Sequence, residues 1–268
     1  MRLKIHARTA YYQTEAIVIK KTKLGEADSI LTFFTPHLGK IQGFARSLRK
    51  PKSKMAGHLE LLTHSQVSLA RGRNLDTITG SQTINSFMPL RNDLWLTSCG
   101  LYVAELVTQF TADHQENFSL FQLTLETLEC LCGENDKELI LRYFELHLIE
   151  SAGYRPQLRE CVACHKVLEP TTNYFSPSAG GMLCPDCSLN QPFSYPLSVN
   201  AQKVLRLLQS SPDAIGADRV KIDPELAAEI GNVISGYLKH LLEREVKSAA
   251  WLDTLREQRM QFNRPPLP

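Results

Sequence analysis

Four of the seven cysteines in this 268-residue chain are spaced for metal chemistry. Cys161-Val-Ala-Cys164 is followed, after nineteen intervening residues, by Cys184-Pro-Asp-Cys187. A C-x-x-C pair places two thiolates on one tight knuckle, and two knuckles complete a tetrahedron around an ion. A closed set of four leaves no position for water or substrate, so one Zn2+ is expected here in a structural role. Two other chemistries use the same residues. A dithiol redox pair would need only one of the two C-x-x-C segments, and an iron–sulfur cluster is also held by four thiolates. Zinc is the usual occupant of this spacing. His165, beside Cys164, is a spare ligand that four cysteines make unnecessary.

The second set of residues with a chemical use is cationic. Residues 1–80 carry 14 Lys+Arg against 5 Asp+Glu, and the rest of the chain carries 16 against 23. The overall charge of +2 therefore hides a first segment near +9 and a remainder near −7. A concentrated excess of this kind suits a polyanionic partner; the plainer reading is a solvated basic face. The candidates for phosphate contact are Lys20, Lys21, Lys23, Lys40, Arg46, Arg49, Lys50, Lys52, Lys54, Arg71 and Arg73. Five of them fall within the nine residues from Arg46 to Lys54, where Pro51 and two serines argue against a helix. A mobile cationic loop can neutralise several phosphates at once. Phe33, Phe34 and Phe44 lie close by in sequence, and whichever faces outward could stack a base. Barrel core is the expected place for at least two of the three.

The elements that must position these groups differ along the chain. Residues 1–12 read as a flexible basic tail. Residues 13–88 show five short β-branched or aromatic runs, punctuated by Leu24–Asp28, His37–Gly39 and Arg71–Asn74, with no convincing helix. That pattern predicts a small OB-like antiparallel barrel, with an SH3-like barrel as the competitor. After Pro89 the apolar period changes to about 3.6. Three helices are predicted over 89–156, opened by Asn92 or Asp93, Asn117 and Asp136, with stripes such as Trp95–Cys99–Tyr102–Leu106–Phe110 and Phe118–Phe121–Leu125–Leu128–Cys132. The third is apolar on nearly every face and reads as a buried central helix, with His147 a satisfied core or edge histidine. Cys99, Cys130 and Cys132 fall within these helices as small core residues. The cysteine module spans 157–196, and its Tyr174–Cys184 stretch predicts a hairpin turning at Gly180-Gly181. It is near neutral, Arg155, Arg159 and Lys166 being matched by Glu160, Glu169 and Asp186. Residues 197–268 supply closing helices, the last long one capped by Asp223-Pro224, and a loose tail at 264–268. The expected fold class is thus α+β and multidomain: an N-terminal OB-like β-barrel, then an all-helical domain with an inserted four-cysteine zinc module.

Several functions have no residues to support them. There is no phosphate-binding G-x-x-x-x-G-K-[ST] loop, dinucleotide fingerprint or G-x-S-x-G elbow, and no His/Glu spacing of a metalloprotease or deaminase. Pairs such as Glu243 and Glu245 read as solvated helical faces. The chain is therefore expected not to be an enzyme. No apolar run reaches the roughly 18 residues that a spanning helix needs, and the start of the chain is not a secretory signal. A cytoplasmic, nucleoid-associated protein without a membrane partner is expected.

In order and spacing these features resemble the bacterial RecO recombination mediator family. The residues that carry the likeness are Thr14–Lys20 with Gly25-Glu-Ala-Asp28 and Ser29–Thr35, then Gly39-Lys40 with Gly43-Phe-Ala-Arg46, Tyr174–Gly181 before Cys184, and Lys239–Ser248. The resemblance implies binding of single- and double-stranded DNA, annealing of complementary strands, and cooperation with RecR. It also implies contact with the C-terminal tail of single-strand-binding protein (SSB), so that RecA can load. The residues themselves leave an alternative: a zinc-stapled adapter whose basic barrel grips an acidic protein.

Overall fold

A computed structural model of the protein describes residues 11–212 and 220–262, with backbone alone at 260–262. The expectations for residues 1–10, for the loop at 213–219 and for the tail at 264–268 lie outside the described residues. Two compact units emerge. One joins residues 11–88 with Thr111–Phe121; the other comprises Pro89–Phe110 and the described residues from Gln122 onward.

The first unit is a closed five-stranded barrel of β1 (Tyr11–Leu24), β2 (Asp28–Thr35), β3 (Gly39–Ala45), β4 (His64–Ala70) and β5 (Asp76–Asn85), in the order β1-β2-β3-β5-β4. β1 closes it by pairing with β2 through its second half, Ile17↔Phe34 to Leu24↔Asp28, and with β4 through its first, Tyr11↔Ala70 to Ile17↔His64. An irregularity between Val18 and Lys20 lets this long strand bend from one neighbour to the other. β3 meets β5 in parallel, at Gly43↔Asp76 and Phe44↔Thr77. This strand order and parallel closure are those of an OB barrel and decide against the SH3-like competitor. The period-two alternation sends Leu31, Phe33, Ile41, Ala45, Val67, Leu69 and Ile78 into the interior. Tyr11 and Tyr12 already belong to β1, so the tail expected over 1–12 gives up its last two residues to the sheet.

A strap from Thr111 to Phe121 belongs with the barrel, although the periodicity placed it in the helical part. The His114 amide donates to the Lys40 carbonyl (2.9 Å). Gly39, at φ +63, allows the close approach: a Cβ there would stand 2.1 Å from the Gln115 carbonyl oxygen. The Phe121 ring lies 5.9 Å from Phe34 and 6.0 Å from His64.

The helical unit contains α1 (Met88–Asn92), α2 (Leu94–Phe110), α3 (Phe118–Cys132, whose first turn lies in the strap) and α4 (Lys137–Ser151). The cysteine module carries the one-turn helix α5 (Pro185–Ser188), and after it come α6 (Val199–Ser210), α7 (Pro224–Leu242) and α8 (Lys247–Phe262). The caps are the residues that the sequence nominates. Asp93 accepts from the Leu96 amide, Asn117 from Leu120, Asp136 from Glu138 and Leu139, and Asp223 from Leu226. The stripe expected on α3 is rotated. Leu120, Phe121, Thr124, Thr127, Leu128 and Leu131 are buried, while Phe118 is exposed and stacks on His37. α4 is the buried central helix, and it also buries Arg142 and Glu145. Its His147 donates from Nε2 to the Leu208 carbonyl (3.1 Å), a satisfied edge position. Cys99 and Cys130 are buried and Cys132 half-buried. α7 ends at Glu243 in a left-handed conformation, so Glu243 and Glu245 occupy the turn before α8 and not a helical face.

Candidate metal centre and nucleic-acid interface

The cysteine module is a three-stranded sheet of β6 (Asn173–Ser176), β7 (Gly181–Leu183) and β8 (Tyr195–Leu197), ordered β7-β6-β8, together with α5. The hairpin turns over Pro177–Gly180, so of the Gly180-Gly181 pair that the sequence indicates Gly180 closes the turn and Gly181 already opens β7. The segment entering the first knuckle runs beside β7: the Met182 amide donates to Gln157 O and the Val162 amide to Met182 O, both at 2.9 Å. Each knuckle closes on its own carbonyl, His165 N–H to Cys161 O (2.8 Å) and Ser188 N–H to Cys184 O (3.0 Å). β7 thereby holds both knuckles in register.

This brings the Sγ atoms of Cys161, Cys164, Cys184 and Cys187 within 4.8 Å of one another, with Cys164 and Cys184 at 3.9 Å. The edge of a tetrahedron with metal–sulfur bonds near 2.3 Å is ~3.8 Å, so the residues fit a closed four-thiolate site. His165 is outside this set. Cys161 is buried, Cys184 and Cys187 are half-buried and Cys164 is exposed. Burial would raise the Cys161 thiol, but the backbone N–H groups of Cys164, Cys184 and Ala163 outweigh it and bring it down to about 6. Cys187 moves the other way, up to about 12, because its proton bridges to the sulfurs of Cys184 and Cys164. The backbone N–H groups thus favour negative charge at Cys161, and charge there opposes ionisation of the other thiols unless a cation is bound.

The predicted phosphate contacts divide into two groups. Lys20, Lys23, Arg46, Lys50, Lys52, Lys54, Arg71 and Arg73 are exposed. The loop after β3 is tied to the β1–β2 turn, since the Arg49 amide donates to Ala27 O (2.9 Å) and the Ser47 amide to Asp28 Oδ1 (2.6 Å). The parallel pairing of Gly43 and Phe44 with Asp76 and Thr77 brings the Arg71–Arg73 turn to the same end of the barrel. Lys23, the 46–54 loop and the Arg71–Arg73 turn therefore gather at that end. The turn is stiffened there: Arg71 lies 4.9 Å over the Tyr12 ring, whose hydroxyl donates to Asp76 (2.6 Å).

Three predicted contacts are otherwise engaged. Lys40, only 12% exposed, donates to the Thr111 carbonyl (2.7 Å) and pairs with Asp113 (3.4 Å), so it fastens the strap. Lys21, 19% exposed, is bound to Glu60 at 2.9 Å. The Arg49 guanidinium donates to the Gly25 carbonyl and braces the loop. Charge and spacing cannot distinguish these three from their neighbours, because their partners are remote in sequence. Of the aromatics, Phe33 and Phe34 are fully buried, whereas Phe44 is half-buried and points outward on β3 between Gln42 and Arg46. Its ladder neighbour on β2 is Ile30, itself half-buried.

No helix among the described residues is long and apolar enough to cross a membrane. The family model described as "Recombination protein O N terminal" matches residues 9–87, and "Recombination protein O C terminal" matches residues 91–250. The chain is 50% identical over 244 residues to a protein named DNA repair protein RecO from Dehalococcoides mccartyi, covering 91% of this chain and 96% of that one. Proteins of the same name from Roseiflexus sp. (44% identical; 93% of this chain, 88% of the other) and Symbiobacterium thermophilum (35%; 93% and 100%) are also similar. With both halves matched in order and identity this high over nearly the whole length, the chain belongs to the RecO family of DNA repair proteins.

Proposed function

We propose that this chain is a non-catalytic DNA-binding mediator that anneals complementary strands and, with RecR, helps RecA load onto SSB-coated single-stranded DNA. The family gives it a DNA repair role. The observation that carries the finer reading is the gathering of three cationic segments at one barrel end, with an outward aromatic, Phe44, on the adjoining sheet face. Annealing needs no nucleotide and no covalent step. It needs the repulsion between two phosphate backbones to be screened while the bases stay free to pair, and a basic barrel end supplies that screening. Phe44 adds a surface on which a base can stack at about 1–3 kcal/mol, whatever its identity.

The metal proposed for Cys161, Cys164, Cys184 and Cys187 is one structural Zn2+. Its chemistry is cross-linking: four thiolates fixed on one ion convert binding free energy into folding free energy for a module built on three short strands. The proposed partners are single- and double-stranded DNA, RecR and the SSB C-terminal tail, with RecA served indirectly and the protein acting at the nucleoid.

The test is the annealing of two complementary oligonucleotides, each precoated with SSB. The protein should accelerate duplex formation without nucleotide, and replacing Lys50, Lys52 and Lys54 together with Gln should abolish most of that acceleration. Parent protein that leaves the annealing rate at its background value refutes the reading.

A further inference from the structure

Within the helical unit, a second cationic cluster lies where the cysteine module meets α6. Helix α6 runs alongside the segment that leads into the first knuckle. Gln209 Nε2 donates to Pro156 O (2.8 Å), and Arg206 Nε donates to Leu158 O (2.8 Å). The second of these bonds anchors the Arg206 guanidinium next to Arg159, whose backbone is itself fixed by Leu168 N–H to Arg159 O (3.1 Å) and Arg159 N–H to Gln157 Oε1 (3.0 Å). Lys203, one helical turn before Arg206, shares its side of α6. Arg159 and Lys203 are exposed and Arg206 is half-buried. Among the described residues no carboxylate lies within ion-pair distance of any of the three, although Glu160 adjoins Arg159 and nearby Arg155 is paired with Glu150 (3.0 Å).

With Arg206 fixed at the carbonyl of the residue before Arg159, two like charges share this stretch, and neither guanidinium can shed its proton at working pH. Burial, and then the charge of Arg159, lower the Arg206 pKa from its ordinary value. An arrangement that stays charged without an acidic partner is relieved by an external anion, and the guanidinium fork matches a phosphate group.

We propose that Arg159, Lys203 and Arg206 form a second phosphate-binding site, on the helical unit, for the backbone of a nucleic acid strand. This inference rests on the DNA-binding reading above and extends it to a part of the chain that is net acidic by count. A phosphodiester suits the cluster better than an acidic peptide does. Of the apolar residues of α6, Val204, Leu205 and Leu208 are buried and Leu207 is exposed; one exposed leucine is less than the anchor pocket a peptide needs, which a phosphate does without.

The test uses full-length protein carrying Arg159→Gln and Lys203→Gln together, two exposed side chains that hold no other element. Binding of a fluorescent 30-nucleotide oligothymidylate is followed by anisotropy as a function of KCl. The double variant should keep its metal content and thermal midpoint. Its slope of log K against log salt should fall by roughly 1.4 for two lost single-strand phosphate contacts. An unchanged slope beside a parent that binds overturns this inference and leaves the barrel interface standing. A parent that does not bind the oligonucleotide overturns both. An unchanged slope together with lost binding of a decaglutamate peptide would reassign the cluster to an acidic protein, which also overturns it.

Discussion

Gly181 lies directly against Gln157: a Cβ on Gly181 would stand 2.7 Å from the Gln157 carbonyl oxygen and 2.7 Å from a methyl carbon of Val162. That contact is where the segment entering the first knuckle pairs in parallel with the hairpin that delivers the second, which ties the two thiol pairs together. The neighbouring Gly180, at φ +69, closes the turn that leads into this pairing.

Gly181→Ala should therefore weaken metal binding without touching a ligand. Pushing Gln157 and Val162 away misaligns the knuckles, and outer-shell changes of this kind cost roughly 10–100-fold in affinity. Competition against a chromophoric chelator measures it. Parent-like affinity would mean that the knuckles find their separation without β7.

Lys40 and the 46–54 loop should separate cleanly by experiment. Lys40→Ala removes a partly buried ion pair and a hydrogen bond to Thr111 O, so it should destabilise the barrel and strap by about 1–3 kcal/mol and leave the salt slope of DNA binding nearly intact. Replacing Lys50, Lys52 and Lys54 should do the reverse, lowering the slope by up to about 0.9 per lost duplex phosphate contact at unchanged stability. Urea unfolding and salt titrations on both variants read out the two effects, and a Lys40 variant that loses slope would contradict its role as a fastener.

The two kinds of barrel phenylalanine should likewise differ. Phe33→Ala empties part of the interior and should cost about 3–5 kcal/mol. Phe44→Ala should cost less stability yet weaken single-strand binding by the roughly 1–3 kcal/mol of one stacked base. Oligothymidylate affinity and thermal midpoints measured on the same preparations distinguish them; intact affinity in the Phe44 variant would remove it from the interface.

Inside the helical unit, Arg142 pairs with Glu145 at 3.0 Å, and the Tyr102 hydroxyl donates to the same carboxylate at 2.6 Å. Burial raises the Glu145 pKa, opposed by Arg142, Tyr102 and Arg256. The folded protein thus holds this proton more tightly than the unfolded chain. The group's contribution to stability is full below the unfolded value near 4.5 and is lost as pH rises through the higher folded value. Arg142→Met removes the largest opposing influence, so it should destabilise by about 3–5 kcal/mol near neutral pH and by less in acid. Denaturant midpoints measured between pH 4 and 8 test the sign, and a deficit that grows toward acid would reverse it.

The sequence by itself determined what is local. The four thiol positions follow from C-x-x-C spacing, the helix starts from Asp93, Asn117, Asp136 and Asp223, and the presence of a hairpin before Cys184, its turn closing at Gly180, from the Gly-Gly pair, because each depends on residues within a few positions of one another. Strand periodicity was likewise enough to anticipate a small barrel. Only the tertiary structure decided which cations are available, which phenylalanine faces outward, and that residues 111–121 pack on the barrel. Lys40 looks like Lys50 in sequence, and the difference lies in Asp113 and Thr111, more than seventy residues away. Phe33 and Phe44 differ through strand register, which long-range pairing sets. Arg159 and Arg206 are 47 positions apart and come together only because α6 hydrogen-bonds along residues 156–158. A charge count averages over such neighbours, whereas packing chooses among them, since burial and carbonyl acceptors fix one cation in place and leave the next in water.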